Sequence, residues 1–321
     1  MFLNYNYFIP GANANGNHFR ACCVSRERKF ATSGNIAKDH SLCLEYIKQR
    51  RNDLNRGNLG NCTGCQFLVD GAGEDKQQRS FIINSGLPGG SRCNAACIYC
   101  DSLENKNQSK CNYGVLDIFE YIRDNVAPQS VYLSYASAEI VLSEYCDEML
   151  NIWEEAGWRG IIFTSGIKYN DKLRHILEVV DGVWLNVSLD CGSAATYKKI
   201  KRRNKFDAVL DTIRKYPNDR IELKYCLLED YNSNEHEICN FLNICTEIQP
   251  KFVCLSNNKN ENSFSQTKLA AALFFIKQAF SCGIKQINLT LDYFDDFTLQ
   301  QIKEFALSQS YPNGFVKYEY K

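Results

Sequence analysis

Apolar positions along this chain alternate between two periods. Short runs rich in β-branched and aromatic residues recur at 81–84, 131–134, 160–164, 182–189, 220–227, 251–255 and 286–291. They predict strands. Segments with apolar residues three and four apart fall between them, at 115–125, 143–155, 171–180, 195–215, 235–245 and 266–281. These predict amphipathic helices. Strands alternating with helices predict βαβ units and an α/β fold with a parallel sheet, open or curled into a barrel.

The first seventy or so residues read differently, as loop-rich sequence with one helix. Asp39 or Ser41 is placed to cap that helix, Leu42, Tyr46, Ile47 and Leu54 give its spacing, and Gly57 can end it. The small, polar stretch 71–78 reads as a linker. The expected organisation is a small N-terminal domain over 1–75 and an α/β domain over 76–321.

Composition narrows the function only slightly. The 321 residues are 45% hydrophobic and 23% charged, which suits a chain that buries a core. Lys+Arg and Asp+Glu number 37 each, so no global field draws the chain to nucleic acid or anionic lipid. The first residues show neither a basic leader nor a long apolar stretch, and the most apolar segment, 269–280, is interrupted by Lys277. No membrane segment and a cytoplasmic location are therefore expected.

Sixteen cysteines change the picture. A secreted disulfide scaffold would be shorter, and clustered cysteines in a reducing compartment more often bind metal. Cys93, Cys97 and Cys100 stand in Arg-Cys-Asn-Ala-Ala-Cys-Ile-Tyr-Cys, a CxxxCxxC spacing placed after the first predicted strand of the α/β region. Three thiolates can be aimed at one [4Fe–4S] cluster, which normally takes four, so one iron is left without a local ligand. A zinc site with a distant fourth ligand, or buried thiols, are the plainer readings.

This motif, with Tyr99 before its last cysteine, resembles the signature of the radical S-adenosylmethionine (SAM) enzymes. The resemblance implies a partial (β/α)6 TIM-like barrel with the cluster loop after strand one. It implies that the spare iron holds the amino and carboxylate groups of SAM, which the reduced cluster cleaves to a 5′-deoxyadenosyl radical. Ser137-Ala138-Glu139 after strand two is similar to the family's Gly-Gly-Glu segment, which holds the SAM amino group, although Ser and Ala carry Cβ atoms that Gly lacks. Thr164-Ser165-Gly166 resembles its Thr-Asn-Gly. Ser188 and Asp190, in Ser-Leu-Asp after strand four, correspond to a position that contacts the ribose, and a helix-capping Asp is the alternative. Lys224 on strand five can pair with the carboxylate of SAM or of an anionic substrate. The basic run Lys198 to Lys205 reads as a solvated helix face, and the sharper reading is that one of its arginines reaches the SAM carboxylate or a phosphorylated substrate.

A second set of cysteines precedes the barrel. Cys22-Cys23, then Cys62-Thr-Gly-Cys65, resemble a shortened SPASM motif, the auxiliary iron–sulfur module of peptide- and sugar-modifying relatives. The resemblance implies a second cluster on Cys22, Cys62 and Cys65, with Cys23, Asp39, His40 or Cys43 as possible fourth ligands. A zinc knuckle or a redox pair is the simpler reading. Adjacent side chains diverge, so one of Cys22 and Cys23 is left over. Cys23, with Cys191 as its rival, is the candidate hydrogen-atom donor. Cys111, Cys146, Cys226, Cys239, Cys245, Cys254 and Cys282 read as core-filling.

The expected function is hydrogen abstraction from a peptide or protein substrate, with a sugar or nucleotide-sugar next, using a reductant such as flavodoxin or ferredoxin. The alternative is a non-catalytic iron–sulfur or zinc-binding scaffold derived from the same fold.

Overall fold

The computed structural model describes residues 2–3, 6–13, 16–20, 30–31, 33–58, 68–69, 79–83, 87, 89–90, 93–100, 113–136, 138–258, 265–290, 296–308 and 315–318. The chain opens with strands β1 (Phe2–Leu3), β2 (Asn6–Asn13), β3 (Gly16–Arg20) and β4 (Phe30–Ala31), then helix α1 (Ile36–Asn55) and β5 (Leu68–Val69). From there strand and helix alternate: β6 (Arg79–Ile83), α2 (Val115–Asn125), β7 (Val131–Tyr135), α3 (Cys146–Ala156), β8 (Arg159–Thr164), α4 (Asp171–Val179) and β9 (Val183–Ser188). Two helices follow, α5 (Ala194–Lys201) and α6 (Phe206–Ile213), before β10 (Ile221–Leu227). The chain continues through α7 (Glu229–Asn232), α8 (Glu235–Ile248), β11 (Phe252–Asn257), α9 (Gln266–Ser281), β12 (Gln286–Thr290), α10 (Asp296–Ser308) and β13 (Phe315–Tyr318).

Strands β6 to β13 pair in sequence order and all in parallel. The sheet is open, with β13 at one edge and β4 at the other. A partial barrel of the (β/α) type follows from this order, each helix returning the chain to the same end of the sheet.

Sequence chemistry accounts for the helices. In α2, Val115, Ile118, Phe119 and Ile122 are all buried, the i, i+3, i+4, i+7 stripe of a helix lying on a sheet. Asn170, Ser193, Asn234 and Ser265 cap α4, α5, α8 and α9, each accepting a hydrogen bond from a first-turn amide. Gly160 permits the close approach of β8 to β7, since a Cβ there would stand 2.0 Å from the Leu133 carbonyl oxygen.

Four expectations are corrected. The N-terminal segment is not merely loop: β2 runs parallel to β6, and β3 and β4 extend the same sheet. Helix α1 is capped by Asn35, not by Asp39 or Ser41, and its buried residues include Asp39, His40, Cys43, Ile47 and Leu54, while Leu42 is 42% exposed. The single helix expected over 195–215 is two, because Arg202 adopts a left-handed φ of 52° and ends α5. Cys282 is exposed and Cys239 half-buried, whereas Cys146, Cys226, Cys245 and Cys254 are buried as expected. Cys111 and the stretch 71–78 lie outside the described residues.

Candidate active site

Most of the described residues singled out in the sequence gather at the carboxyl ends of β6 to β10. Cys93, Cys97 and Cys100 occupy the loop after β6, and all three are half-buried. The last carbonyls of a helix have no partner within it. Those of α5 are taken up by the cysteine loop: Ala96 N donates to Lys201 O (3.0 Å) and Ile98 N to Ile200 O (3.0 Å). Cys100 N donates to Cys97 O (3.1 Å), which tightens the turn, and Arg203 Nε donates to Asn94 O (2.8 Å). The loop is thus docked on α5. Burial pushes the Cys93 thiol up to about 11 and raises that of Cys97, against the opposing pull of Lys201.

Glu139 lies just beyond β7 and is fully buried. Its Oε1 accepts from Thr164 Oγ1 (2.7 Å), and its Oε2 from Ser165 N (2.8 Å) and Ser165 Oγ (2.6 Å). Ser165 Oγ also lies 2.7 Å from Asn94 Oδ1, so the acidic turn is connected to the cysteine loop through one hydroxyl. Burial raises the Glu139 carboxyl above its ordinary value, against the donors from Ser165 and Thr164. Ala138 has a φ of 41°, the left-handed region that glycine occupies most readily. Gly166 follows with a φ of 70° and packs tightly, since a Cβ there would stand 3.0 Å from Val187 Cγ1.

Beyond β9, Asp190 turns the chain with a φ of 61°. Its Oδ1 accepts from Cys226 N (2.8 Å), and its Oδ2 from the Tyr99 hydroxyl and the Lys201 ammonium. Lys201 Nζ also donates to Tyr99 Oη (2.8 Å). The Lys201 and Asp190 side chains are 1% and 0% exposed, which corrects the reading of the basic run as wholly solvated. Burial works to lower the Lys201 ammonium's pKa, and Asp190 beside it reverses the effect and raises it. Asn232 Nδ2 braces the turn by donating to Asp190 O (2.7 Å) and Cys226 O (2.8 Å). Cys191, the rival hydrogen donor, is buried, and its thiol donates to Leu189 O (3.4 Å).

The two faces of the sheet differ. On β10, Tyr225 points to the helices, its ring 4.7 Å from Phe241 and 5.4 Å from Phe275. By strand alternation Glu222, Lys224 and Cys226 face the interior of the partial barrel. Register extends this face to Asn186 and Ser188 on β9, Cys254 and Ser256 on β11, and Asn288 and Thr290 on β12. Low on this face the Glu222 carboxylate accepts from Asn186 Nδ2 and, at 2.5 Å, from Asn288 Nδ2.

The structure therefore brings Cys93, Cys97, Cys100, Tyr99, Glu139 and Asp190 into one connected region, with Ser188 and Lys224 paired in register on the strands beside it. Cys22, Cys23, Cys62, Cys65 and Ser137 lie outside the described residues. Sequence reasoning missed Lys201, Asn94 and Asn232. For Lys201 a signal existed: Tyr197, Ile200 and Lys201 are spaced i, i+3, i+4 on the buried face of α5.

Among the described residues, no three His, Cys, Asp or Glu side chains close round a single metal ion. The thiolates of a cube each bind a different iron and stand further apart than ligands of one ion. The donor set of the loop, three thiols and no imidazole, fits such a cluster. No helix among the described residues is long and apolar enough to cross a membrane.

No protein-family model matches the chain, and no curated protein matches it either. Solved structures do. Streptococcus suis SuiB bound to precursor peptide SuiA aligns over 97% of this chain and 71% of its own, at 12% identity and a TM-score of 0.50. SuiB bound to S-adenosylmethionine aligns over 97% and 70%, at 11% identity and a TM-score of 0.50. A radical SAM methyltransferase from Sphaerobacter thermophilus aligns over 67% and 66%, at 15% identity and a TM-score of 0.47. The chain shares the fold of SuiB.

Proposed function

We propose that this protein is a radical SAM enzyme acting on a peptide or protein. The observation that carries this reading is the docked loop of Cys93, Cys97 and Cys100 at the carboxyl end of β6, joined through Asn94 and Ser165 to Glu139. When bound, a [4Fe–4S] cluster and SAM supply a carbon radical that removes a hydrogen atom from the substrate.

The chain's own residues position and shield these groups. Cys93, Cys97 and Cys100 hold the cluster. Ser137 and Glu139 receive the SAM amino group, and Ser188, Asp190 and Tyr99 frame the nucleoside. Cys22, Cys62 and Cys65 hold an auxiliary cluster in a domain over 1–75 that precedes the barrel domain over 76–321, and Cys23 returns a hydrogen atom. A flavodoxin or ferredoxin serves as reductant in a cytoplasmic setting. The peptide preference draws on the likeness to SuiB, whose structure was solved with its precursor peptide; a sugar or nucleotide-sugar is the next substrate class.

The second reading, a non-catalytic cluster- or zinc-binding scaffold, draws on Ala138 in place of the expected glycine at a left-handed position. Anaerobic reconstitution separates the two. Iron and sulfide are counted, dithionite and SAM are added, and 5′-deoxyadenosine is measured. Its formation supports the enzyme; a full cluster without product supports the scaffold.

A further inference from the structure

The inner face of β9 to β12 is layered. The lowest row holds Asn186, Glu222 and Phe252 in register, with the Trp184 and Phe252 rings 4.9 Å apart beneath the Glu222 network. The next row is Ser188, Lys224, Cys254 and Asn288. The row nearest the carboxyl ends is Cys226, Ser256 and Thr290. No arginine stands in these rows.

Within β10 every residue is buried except Lys224, which keeps partial solvent access. Ser188 and Thr290 on neighbouring strands keep it too. Since these positions face the interior, the water they meet is inside the partial barrel. Lys224 Nζ has no hydrogen-bond acceptor or ion-pair partner among the described residues. The nearby Asp190 carboxylate is already taken up by Lys201, Tyr99 and the Cys226 amide, and Glu222 below is held by two amides.

Burial works to lower the Lys224 ammonium's pKa, and the Asp190 carboxylate is among the groups that raise it. The Cys226 thiol is pushed up to about 11 by burial and supplies no counter-charge there. On the next strand Ser256 is 2% exposed, and its Oγ has no partner beyond the neighbouring Cys226 thiol. The ammonium thus meets water but no protein acceptor among the described residues, and the hydroxyl meets only a thiol, a weak acceptor.

We infer that Lys224 and Ser256 form a carboxylate-binding subsite within the barrel, which receives an acidic group of the substrate. A single ammonium and a single hydroxyl match one negative charge and two oxygens. A phosphate would call for more donors. The substrate class is then a peptide with an Asp, Glu or terminal carboxylate close to the reacting carbon. This rests on the radical SAM reading above.

The test uses the cluster-loaded full chain, crystallised with SAM and soaked in bromide, whose anomalous signal marks monoanion sites. Bromide is expected between Lys224 and Ser256, displaced by acetate and not by phosphate, and absent in Lys224→Met. In solution, Lys224→Met and Ser256→Ala should bind SAM within about twofold of wild type and still release 5′-deoxyadenosine. No bromide at Lys224 overturns the subsite, as does displacement by phosphate alone. A loss of SAM affinity of about tenfold or more in Lys224→Met, with SAM's own carboxylate on the lysine, also overturns it. Should wild type release no 5′-deoxyadenosine while bromide still binds, the enzyme reading fails and the anion site stands.

Discussion

Lys201 and Asp190 form an ion pair with essentially no solvent exposure, at the point where the cysteine loop, β9 and β10 meet. The pair acts on the loop twice. The Lys201 backbone carbonyl accepts from Ala96, and its ammonium reaches Tyr99. A helix end, a strand end and the loop of the cysteine triplet are thereby held in one register.

Breaking the pair should loosen that register. Lys201→Met leaves the Asp190 carboxylate buried with its charge uncompensated, and a loss of about 3–5 kcal/mol is expected. Asp190→Asn should cost a similar amount. The double variant should recover part of the loss, because neither charge is then stranded. Urea denaturation of the four proteins measures the coupling, and strict additivity would show that the two side chains do not act together.

Ala138 should tolerate glycine better than any larger residue. A left-handed conformation costs a non-glycine residue about 1–2 kcal/mol, and glycine loses about 0.5–1 kcal/mol in extra unfolded-state freedom. Ala138→Gly should therefore be neutral or stabilising by up to about 1.5 kcal/mol, and Ala138→Val destabilising. The same denaturation experiment checks both. A clear loss with glycine would show that the methyl group makes a needed contact.

Glu139 has a pH signature with a definite sign. Its folded-state pKa is raised above the ordinary 4.5 by burial. The folded state therefore binds the proton more tightly than the unfolded one, and stability falls as pH rises through the interval between the two values. Glu139→Gln removes this fall. Stability followed upward from pH 4.5 should decline more steeply in wild type than in the variant. Parallel curves would mean that Glu139 titrates alike in both states.

The cysteines should separate by function. Changing Cys93, Cys97 or Cys100 to Ala should abolish SAM cleavage and lower the iron content. Changing Cys62 and Cys65 together should leave some cleavage but stop turnover of the true substrate. Cys23→Ala should cleave SAM and stall with a substrate radical or give a side product. Iron counts, 5′-deoxyadenosine and electron paramagnetic resonance report these outcomes, and full turnover in the Cys62/Cys65 variant would make the second cluster dispensable.

Much of this was legible in the sequence. Strands β6 to β12 announced themselves because buried parallel strands are continuous apolar runs, and the triplet could be placed after β6 by counting. Strand β2 was hidden because it contains Pro10 and Gly11, which read as a turn; its pairing to β6 covers only Asn6 to Phe8, before the proline. The break between α5 and α6 was hidden because residues 201–205 are all polar and a solvated helix face can carry such a run; the left-handed Arg202 ends α5, and the cysteine loop takes up its last carbonyls. Lys201 was hidden by its type. A lysine is normally solvated, and only the fold supplies Asp190 to accept it.

The central claim is that the docked triplet holds a cluster used for reductive SAM cleavage. The most direct test is 5′-deoxyadenosine formation by the anaerobically reconstituted protein with SAM and dithionite, beside Cys97→Ala. Product from wild type and none from the variant is the predicted result. Wild type that carries a full iron and sulfide complement yet forms no product, or that takes up zinc in place of iron, would contradict it.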